Sequence, residues 1–260
     1  MENPRRYGKA PYDVAVVHGG PGAPGEMAPV ARELSSAHGV LEPMQTQATL
    51  AGQVAELKSL LEDKGTLPLT LIGYSWGAIL SFIFTAENPD AVKKLILVSS
   101  GVFTEDFVER IKRNRQRRLS ERERTHMEEL LAVINDPGVE DKDTPFAELG
   151  ELIARADAYD PLPHENDAIA YQHDIFTAVW EDAEAMRASG DLLELGKHID
   201  CPVVAIHGDF DPHPWEGIRA PLEEVLHDFR FLMLEKCGHH PWYEKHARKS
   251  FYDALERELS

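Results

Sequence analysis

The pentapeptide Gly73-Tyr74-Ser75-Trp76-Gly77 lies between two apolar runs of the sequence. Residues 67–72 before it are typical of a β-strand, and residues 78–85 after it are apolar and long enough for a buried helix. A chain that passes directly from strand to helix must turn sharply, which leaves the serine in a strained conformation with its hydroxyl pointing outward. Only small side chains fit beside such a turn, and Gly73 and Gly77 are glycines. The pattern therefore predicts an exposed, reactive serine at Ser75.

Apolar runs alternate with helical patterns along much of the chain. This alternation predicts an α/β fold with a mostly parallel sheet covered by helices on both faces. Strands are predicted at residues 13–17, 40–44, 67–72, 94–99, 202–206 and 229–234. Helices are predicted at residues 29–37, 50–64, 78–85 and 217–226, and a last helix carries Ala247, Phe251, Leu255 and Leu259 at four-residue spacing.

The alternation stops between residues 103 and 190, where the sequence predicts helices and loops without a strand. We therefore predict an α/β core formed by residues 1–102 and 191–260, with a helical cap inserted at residues 103–190. Most aromatic residues of the cap are expected to pack on the core, and some could roof a pocket. These residues are Phe107, Phe146, Tyr159, Tyr171, Phe176 and Trp180.

A basic run lies inside the predicted cap, where six of the nine residues 110–118 are Lys or Arg. Such a run suits an anion site or, more commonly, a solvated helix face. We interpret it as a solvated face whose charges pair with Glu121, Glu123, Glu128 and Glu129.

Composition limits the classes of function that fit the chain. The formal net charge of −18 argues against nucleic acid and against an anionic membrane surface as partners. The 260 residues contain two cysteines, Cys201 and Cys237, which are expected to be reduced structural thiols. No apolar run is long enough to span a bilayer, and residues 1–12 do not resemble a signal peptide. We expect a soluble, cytoplasmic protein.

A serine hydroxyl is a weak nucleophile and needs an adjacent base, for which histidine has a suitable pKa. A carboxylate must in turn orient the imidazole and stabilise its protonated form. Ser75, Asp211 and His239 occur in the order serine, acid, histidine, and the acid and the histidine each follow a predicted strand. Because parallel strands bring their carboxyl ends to one edge of the sheet, we predict that these three residues form a catalytic triad.

Two of these assignments have rivals close by. Asp209 lies nearer its strand than Asp211, and His240 follows His239 directly. We favour Asp211 because it lies three residues after Gly208 in a loop, and His239 because it follows Gly238 directly.

The developing charge on a substrate carbonyl needs two backbone N–H donors, which form an oxyanion hole. We predict that Trp76, directly after the serine, supplies one donor. The second is predicted at Gly20, in the loop His18-Gly19-Gly20-Pro21-Gly22 that follows the first predicted strand. His18 is expected to bond neighbouring backbone groups.

A metal site is the main competing use of these polar residues. His207, Asp209, Asp211, His213, His239 and His240 could together surround a cation. None of them forms a helical His-x-x-x-His pair or a paired cysteine motif, so the signal for a metal is weak. We expect neither a metal nor a cofactor.

Taken together, these motifs resemble the α/β-hydrolase superfamily, and specifically its branch of proline-iminopeptidase-like enzymes. The matching segments are His18-Gly19-Gly20-Pro21-Gly22, Gly73-Tyr74-Ser75-Trp76-Gly77, Gly208-Asp209-Phe210-Asp211 and Gly238-His239. The resemblance implies that Ser75 is the nucleophile, Asp211 the acid and His239 the base. Members of the superfamily usually have two strands before the glycine-rich loop, and about a dozen residues precede Asp13 here. We therefore expect these leading strands to be missing, which would leave a sheet edge for a homo-oligomer partner to cover.

The function expected from these observations is hydrolysis of a small ester or amide through an acyl-enzyme. An aminopeptidase acting on short peptides is the closest alternative. A binding protein without catalysis, and acyl transfer or C–C bond cleavage by the same triad, are further alternatives.

Overall fold

A computed structural model describes residues 2–165, 167–169 and 172–260. Within these residues, seven strands form one sheet in the order β1-β3-β2-β4-β5-β6-β7. The strands are β1 (Arg5–Tyr7), β2 (Tyr12–Val17), β3 (Gly39–Glu42), β4 (Leu69–Tyr74), β5 (Val92–Val98), β6 (Val203–Gly208) and β7 (Phe229–Leu234). Among the described strands, β1 alone pairs antiparallel with its neighbour, and the other paired strands are parallel. The carboxyl ends of β2 and of β4 to β7 therefore meet at one edge.

Helices connect and cover these strands. They are α1 (Ala28–Leu34), α2 (Leu50–Lys64), α3 (Trp76–Glu87), α4 (Val108–Arg118), α5 (Glu121–Asn135), α6 (Asp143–Asp157), α7 (His173–Ser189), α8 (Asp191–Glu194), α9 (Glu216–Val225) and α10 (Arg248–Leu259). In the part of the chain that the structure describes, none of them combines the length and the apolar character that crossing a membrane requires.

Successive side chains of a strand point to opposite faces of the sheet, and helices cover both of these faces. In β2, Ala15 and Val17 pack with α2 and α3 on one face, whereas Val14 and Val16 pack with α1 and α10 on the other. The near-continuous apolar runs of the sequence thus reflect strands with two buried faces. The predicted α/β fold with a mostly parallel, doubly covered sheet is confirmed.

The sequence analysis missed one strand, which lies at the edge of the sheet. Arg5–Tyr7 forms β1, which pairs antiparallel with β3, where the sequence analysis expected no leading strand. Its sequence, Arg-Arg-Tyr, is short and mostly polar, so it shows neither an apolar run nor a clear alternation. Because β1 covers β3, the edge of the sheet lies one strand further out than expected. The homo-oligomer through a sheet edge stays a prediction.

The segment between β5 and β6 is helical, as expected, and contains α4 to α8. Within it, Phe176 stacks on Trp180 and contacts Phe146 at a tilted angle, and Tyr159 packs edge-on against Phe210. Tyr171, also expected to contribute, lies outside the described residues. The division into a core and a cap at residues 103–190 stays a prediction.

The close packing of α3 against β2 generates a testable prediction. A β-carbon added at Gly77 would lie 2.3 Å from the carbonyl oxygen of His18 and 2.4 Å from that of Val17. Because both neighbours are backbone atoms, Gly77→Ala should lower the free energy of unfolding by about 1–3 kcal/mol, measured by urea denaturation. Gly101→Ala is the matched control, since its nearest atom would be 3.7 Å away. Equal stability of the two variants would contradict the packing argument.

Candidate active site

Ser75 occupies the sharp turn between β4 and α3. Its backbone has φ 52° and ψ −115°, a positive φ that non-glycine residues rarely adopt and that costs about 1–3 kcal/mol. The turn is held from both sides: the N–H of Ser75 donates to the carbonyl of Val98 at 3.0 Å, and Ala78 N–H donates to the carbonyl of Ser75 at 3.1 Å. The neighbouring Gly73 leaves no room for a β-carbon, which would lie 2.3 Å from the carbonyl oxygen of Gly77.

Three polar side chains meet above this turn. The hydroxyl of Ser75 lies 3.0 Å from His239 Nε2, and His239 Nδ1 lies 2.7 Å from Asp211 Oδ2. Both distances are those of hydrogen bonds. With the serine O–H donating to Nε2 and Nδ1–H donating to the carboxylate, the imidazole is held in one tautomer. The structure thus brings together the three residues that the sequence analysis selected.

The charges of this group are set by burial and by its own members. Burial would raise the pKa of Asp211, but the surrounding imidazoles, His239 foremost, hold it well below its usual range. Burial would lower the pKa of His239, whereas the Asp211 carboxylate raises it above its ordinary value. A buried, ionised carboxylate therefore faces an imidazole that it makes more basic, which suits a proton acceptor for Ser75.

The two rival residues make other contacts. Asp209 Oδ1 accepts a hydrogen bond from the N–H of Cys237 at 3.1 Å, which joins the loops that follow β6 and β7. His240 Nε2 lies 3.2 Å from Glu26 Oε1. Neither contact involves Ser75.

His213 is a member of the group that the sequence analysis considered only as a metal ligand. Its N–H donates to Asp211 Oδ1 at 2.9 Å, and its Nδ1 lies 2.8 Å from the same oxygen. Burial lowers its pKa to about 4 despite the neighbouring carboxylate, so this imidazole is neutral at pH 7. His207 Nε2–H in turn donates to the carbonyl of His213 at 2.9 Å. The spacing of two residues after the acid was the only sequence signal for this contact.

The residues that could hold a metal overlap with this group. Among the described residues, Asp211, His213 and His239 are the one set of at least three such side chains whose ligand atoms all lie within 4.8 Å of one another. Asp209 and His240, which the metal hypothesis included, point to the partners given above. In the arrangement described, both imidazoles use Nδ1 for a hydrogen bond to the Asp211 carboxylate.

The two predicted oxyanion donors lie on elements in close contact. Trp76 is the first residue of α3, so its N–H has no partner within the helix and lies at the positive end of the helix dipole. Gly20 follows β2 with a φ of 36°, and its carbonyl accepts from Ala23 N–H at 2.9 Å, which closes a tight turn. The approach of Gly77 to the carbonyl of His18 brings this loop against the start of α3.

The C-terminal end of α6 holds the loop that carries His239. The N–H of His239 donates to the carbonyl of Asp157 at 2.9 Å. Glu244, buried in the same loop, accepts from the N–H groups of Gly238, Tyr159 and Asp160 at 2.9, 2.7 and 2.9 Å. One carboxylate thus joins the histidine loop to the segment that follows α6.

The basic residues of α4 contact partners other than those predicted. Arg115 forms a forked ion pair with the buried carboxylate of Asp157, whose oxygens lie 2.7–3.2 Å from its guanidinium nitrogens. Arg118 lies 3.8 Å from the centre of the Phe210 ring, and Arg110 pairs with Glu216. Among the described ion pairs, none joins this run to Glu121, Glu123, Glu128 or Glu129, so the expected pairing was wrong. The sequence could not show it because Asp157 approaches through tertiary packing.

The chain matches a family model for the alpha/beta hydrolase fold over residues 35–245. It belongs to the α/β-hydrolase family and is a hydrolase of that family. No curated protein sequence matches the chain significantly.

Solved structures with the same fold cover nearly the whole chain. A lipase candidate from Acinetobacter baumannii AYE is 17% identical, with a TM-score of 0.68 over 97% of this chain and 86% of its own. A carboxylesterase structure from the thaumarchaeon Nitrososphaera gargenis is 20% identical, with a TM-score of 0.64 over 98% and 93%. The enol-lactonase from Burkholderia xenovorans LB400 is 17% identical, with a TM-score of 0.62 over 98% and 95%. At these identities the similarity concerns the fold.

The pair of Arg115 and Asp157 generates a prediction on stability. Asp157→Asn leaves a guanidinium without its carboxylate, and breaking a buried ion pair typically costs about 3–5 kcal/mol. Because the Arg115 side chain keeps 26% exposure, we expect a loss near the lower end, about 3 kcal/mol, in urea denaturation at pH 7.

The matched control is Glu109→Gln, which breaks the exposed pair with Lys112 on the same helix. Its stability should equal that of the wild type, because exposed ion pairs contribute little. A destabilisation of the same size in both variants would contradict a special role for the buried pair.

Proposed function

We propose that the protein is a serine hydrolase that cleaves a small ester through an acyl-enzyme. The observation that carries the proposal is the unbroken chain of hydrogen bonds from Ser75 Oγ through His239 to Asp211, at 3.0 and 2.7 Å. A hydroxyl on a strained turn, a basic imidazole and a buried ionised carboxylate are the parts that nucleophilic acyl transfer needs.

In the first half of the proposed reaction, Ser75 Oγ attacks the substrate carbonyl while His239 Nε2 accepts its proton. Asp211 keeps Nδ1 protonated and stabilises the imidazolium that forms. The carbonyl oxygen becomes an oxyanion, to which the N–H groups of Gly20 and Trp76 donate. Collapse of this intermediate breaks the ester bond, and the imidazolium gives its proton to the leaving alkoxide. The products are an alcohol and Ser75 carrying the acyl group.

The second half repeats these roles with water. His239 accepts a proton as the water oxygen attacks the acyl carbonyl, and the same two N–H groups receive the oxyanion. Release of the carboxylic acid returns the proton to Ser75 Oγ. The alcohol thus leaves with the proton of Ser75, the acyl group leaves with the oxygen of water, and a proton of water returns to Ser75. The proposed reaction uses no cofactor.

Support for an ester as the substrate class comes from the named structural neighbours. The three structures described above are called a lipase, a carboxylesterase and an enol-lactonase, names that refer to cleavage of ester or lactone bonds. An aminopeptidase acting on short peptides remains the alternative that the sequence resemblance suggests. The cytoplasmic location stays a prediction.

The proposed triad predicts which of the neighbouring acids and histidines matter for activity. Ser75→Ala should abolish hydrolysis of a p-nitrophenyl acyl ester, and Asp211→Asn and His239→Gln should each lower kcat by about 10⁴-fold. The matched controls Asp209→Asn and His240→Gln alter the adjacent acid and the adjacent histidine, and should keep kcat within about tenfold. A fluorophosphonate probe should label Ser75 in the wild type and in both controls.

Two results would count against the proposal. One is the failure of folded wild-type protein to react with the fluorophosphonate probe at Ser75. The other is a loss of activity in His240→Gln equal to that in His239→Gln. Comparison of the acyl ester with a proline or alanine arylamide distinguishes the esterase from the aminopeptidase, because only the latter should prefer the arylamide.

The raised pKa of His239 predicts the pH dependence of the reaction. The imidazole must be unprotonated to accept the proton of Ser75, so kcat/KM should fall as the pH decreases through the pKa of His239. Because Asp211 raises this pKa, the midpoint should lie above about 6.5, the value for an unperturbed histidine. Asp211→Asn should shift the midpoint of its residual activity to lower pH. A pH profile that is flat between pH 5 and 8 would argue against His239 as the base.

A further inference from the structure

A buried glutamine connects the two elements that carry the proposed oxyanion donors. Gln45 follows β3 and is 3% exposed. Its side-chain Nε2–H donates to the carbonyl of His18 at 2.8 Å, and its Oε1 accepts from Trp76 Nε1–H at 2.9 Å. A single planar amide thus joins the start of the glycine-rich loop to the first residue of α3.

The same glutamine holds His18 through its backbone. Gln45 N–H donates to His18 Nε2 at 3.1 Å, while His18 Nδ1 lies 2.7 Å from the carbonyl of Gly19. Nε2 must accept in this arrangement, which places the ring proton on Nδ1. Burial lowers the pKa of His18 to about 4, so the ring stays neutral at pH 7. Two residues of the loop before Gly20 are therefore fixed by Gln45, directly or through this ring.

A second buried glutamine provides a natural comparison. Gln53 in α2 is 1% exposed, and its Oε1 also accepts from Trp76 Nε1–H, at 3.1 Å. Its Nε2–H, however, donates to the carbonyl of Gln47 at 3.0 Å. Gln53 therefore contacts the Trp76 side chain without reaching the glycine-rich loop.

We propose that Gln45 is a positioning residue for the oxyanion hole, which sets the separation between the backbone N–H groups of Gly20 and Trp76. This inference rests on the proposed function, because it concerns the donors of that reaction. Such donors act only when they lie about 2.7–3.1 Å from the oxyanion, and removal of one costs about 10²–10³ in kcat. Loss of Gln45 displaces a donor without removing it, so the expected decrease in kcat is smaller, about 10- to 100-fold.

The test uses Gln45→Met, which keeps the length of the side chain but neither hydrogen bond, with Gln53→Met as the matched control. Hydrolysis of p-nitrophenyl acetate is measured from pH 5 to 9, together with the rate constant for labelling by a fluorophosphonate probe. Gln45→Met should lower kcat and the labelling rate by about 10- to 100-fold and leave KM within about threefold. The pH midpoint should stay unchanged, since the bond between His239 and Asp211 does not involve Gln45. Gln53→Met should keep kcat within about threefold.

A second pair of variants keeps the inference testable if Gln45→Met does not fold. Gln45→Glu preserves an acceptor for the Trp76 indole but replaces the donor to His18, and Trp76→Phe breaks the same link from the other end. Each should lower kcat without shifting the pH midpoint. Together, Gln45→Glu and Trp76→Phe should lower kcat by less than the product of their separate effects, because both interrupt one connection.

The outcomes separate this inference from the proposed function. If the wild type neither hydrolyses the ester nor is labelled at Ser75, the proposed function is wrong. If the wild type is active but Gln45→Met and Gln53→Met behave alike, Gln45 does not position the oxyanion hole. A shifted pH midpoint in Gln45→Met would also overturn the inference, because it would indicate distortion of the whole site.

Discussion

The close contact between the turn at Ser75 and the strands beside it is the constraint on which the rest of the site depends. Ser75 has a positive φ, and the glycines on either side let α3 begin directly against β4 and the end of β2. This contact fixes three things at once: the direction of the hydroxyl, the free N–H at the start of α3 and the distance to the glycine-rich loop. The backbone strain is held by hydrogen bonds to Val98 and Ala78 on either side of the turn.

The histidine and its carboxylate are positioned by buried polar groups. Asp211 receives hydrogen bonds from two imidazoles, and Asp209 ties its loop to the loop that carries His239. Glu244 and the carbonyl of Asp157 then anchor that second loop to the end of α6. Because buried polar groups are costly unless paired, these contacts specify one arrangement of the loops. The helices between β5 and β6 therefore support the imidazole in addition to covering the core.

Much of the fold could be predicted because it follows from local patterns. The bounds of α2 and β7 agree with the prediction, since a clear helical period defines α2 and an apolar run interrupted only by Arg230 defines β7. Strand β1 was missed because its short, polar sequence becomes a strand only by pairing with β3. The predicted ion pairs of the basic run were wrong for a related reason, because Arg115 pairs with Asp157, 42 positions away in the sequence.

The sequence by itself determined the order of β2 to β7 and of the helices α1, α2, α3, α9 and α10, the glycines that permit the turn at Ser75, and the identity of the serine, the acid and the histidine brought together there. Each of these depends on the residue type and its nearest neighbours along the chain. Only the tertiary structure decided that Asp209 ties two loops while Asp211 faces His239, that His213 shares the carboxylate, and that Gln45 spans from His18 to Trp76. These contacts join residues on separate loops and helices, whose approach depends on how the elements pack around the sheet.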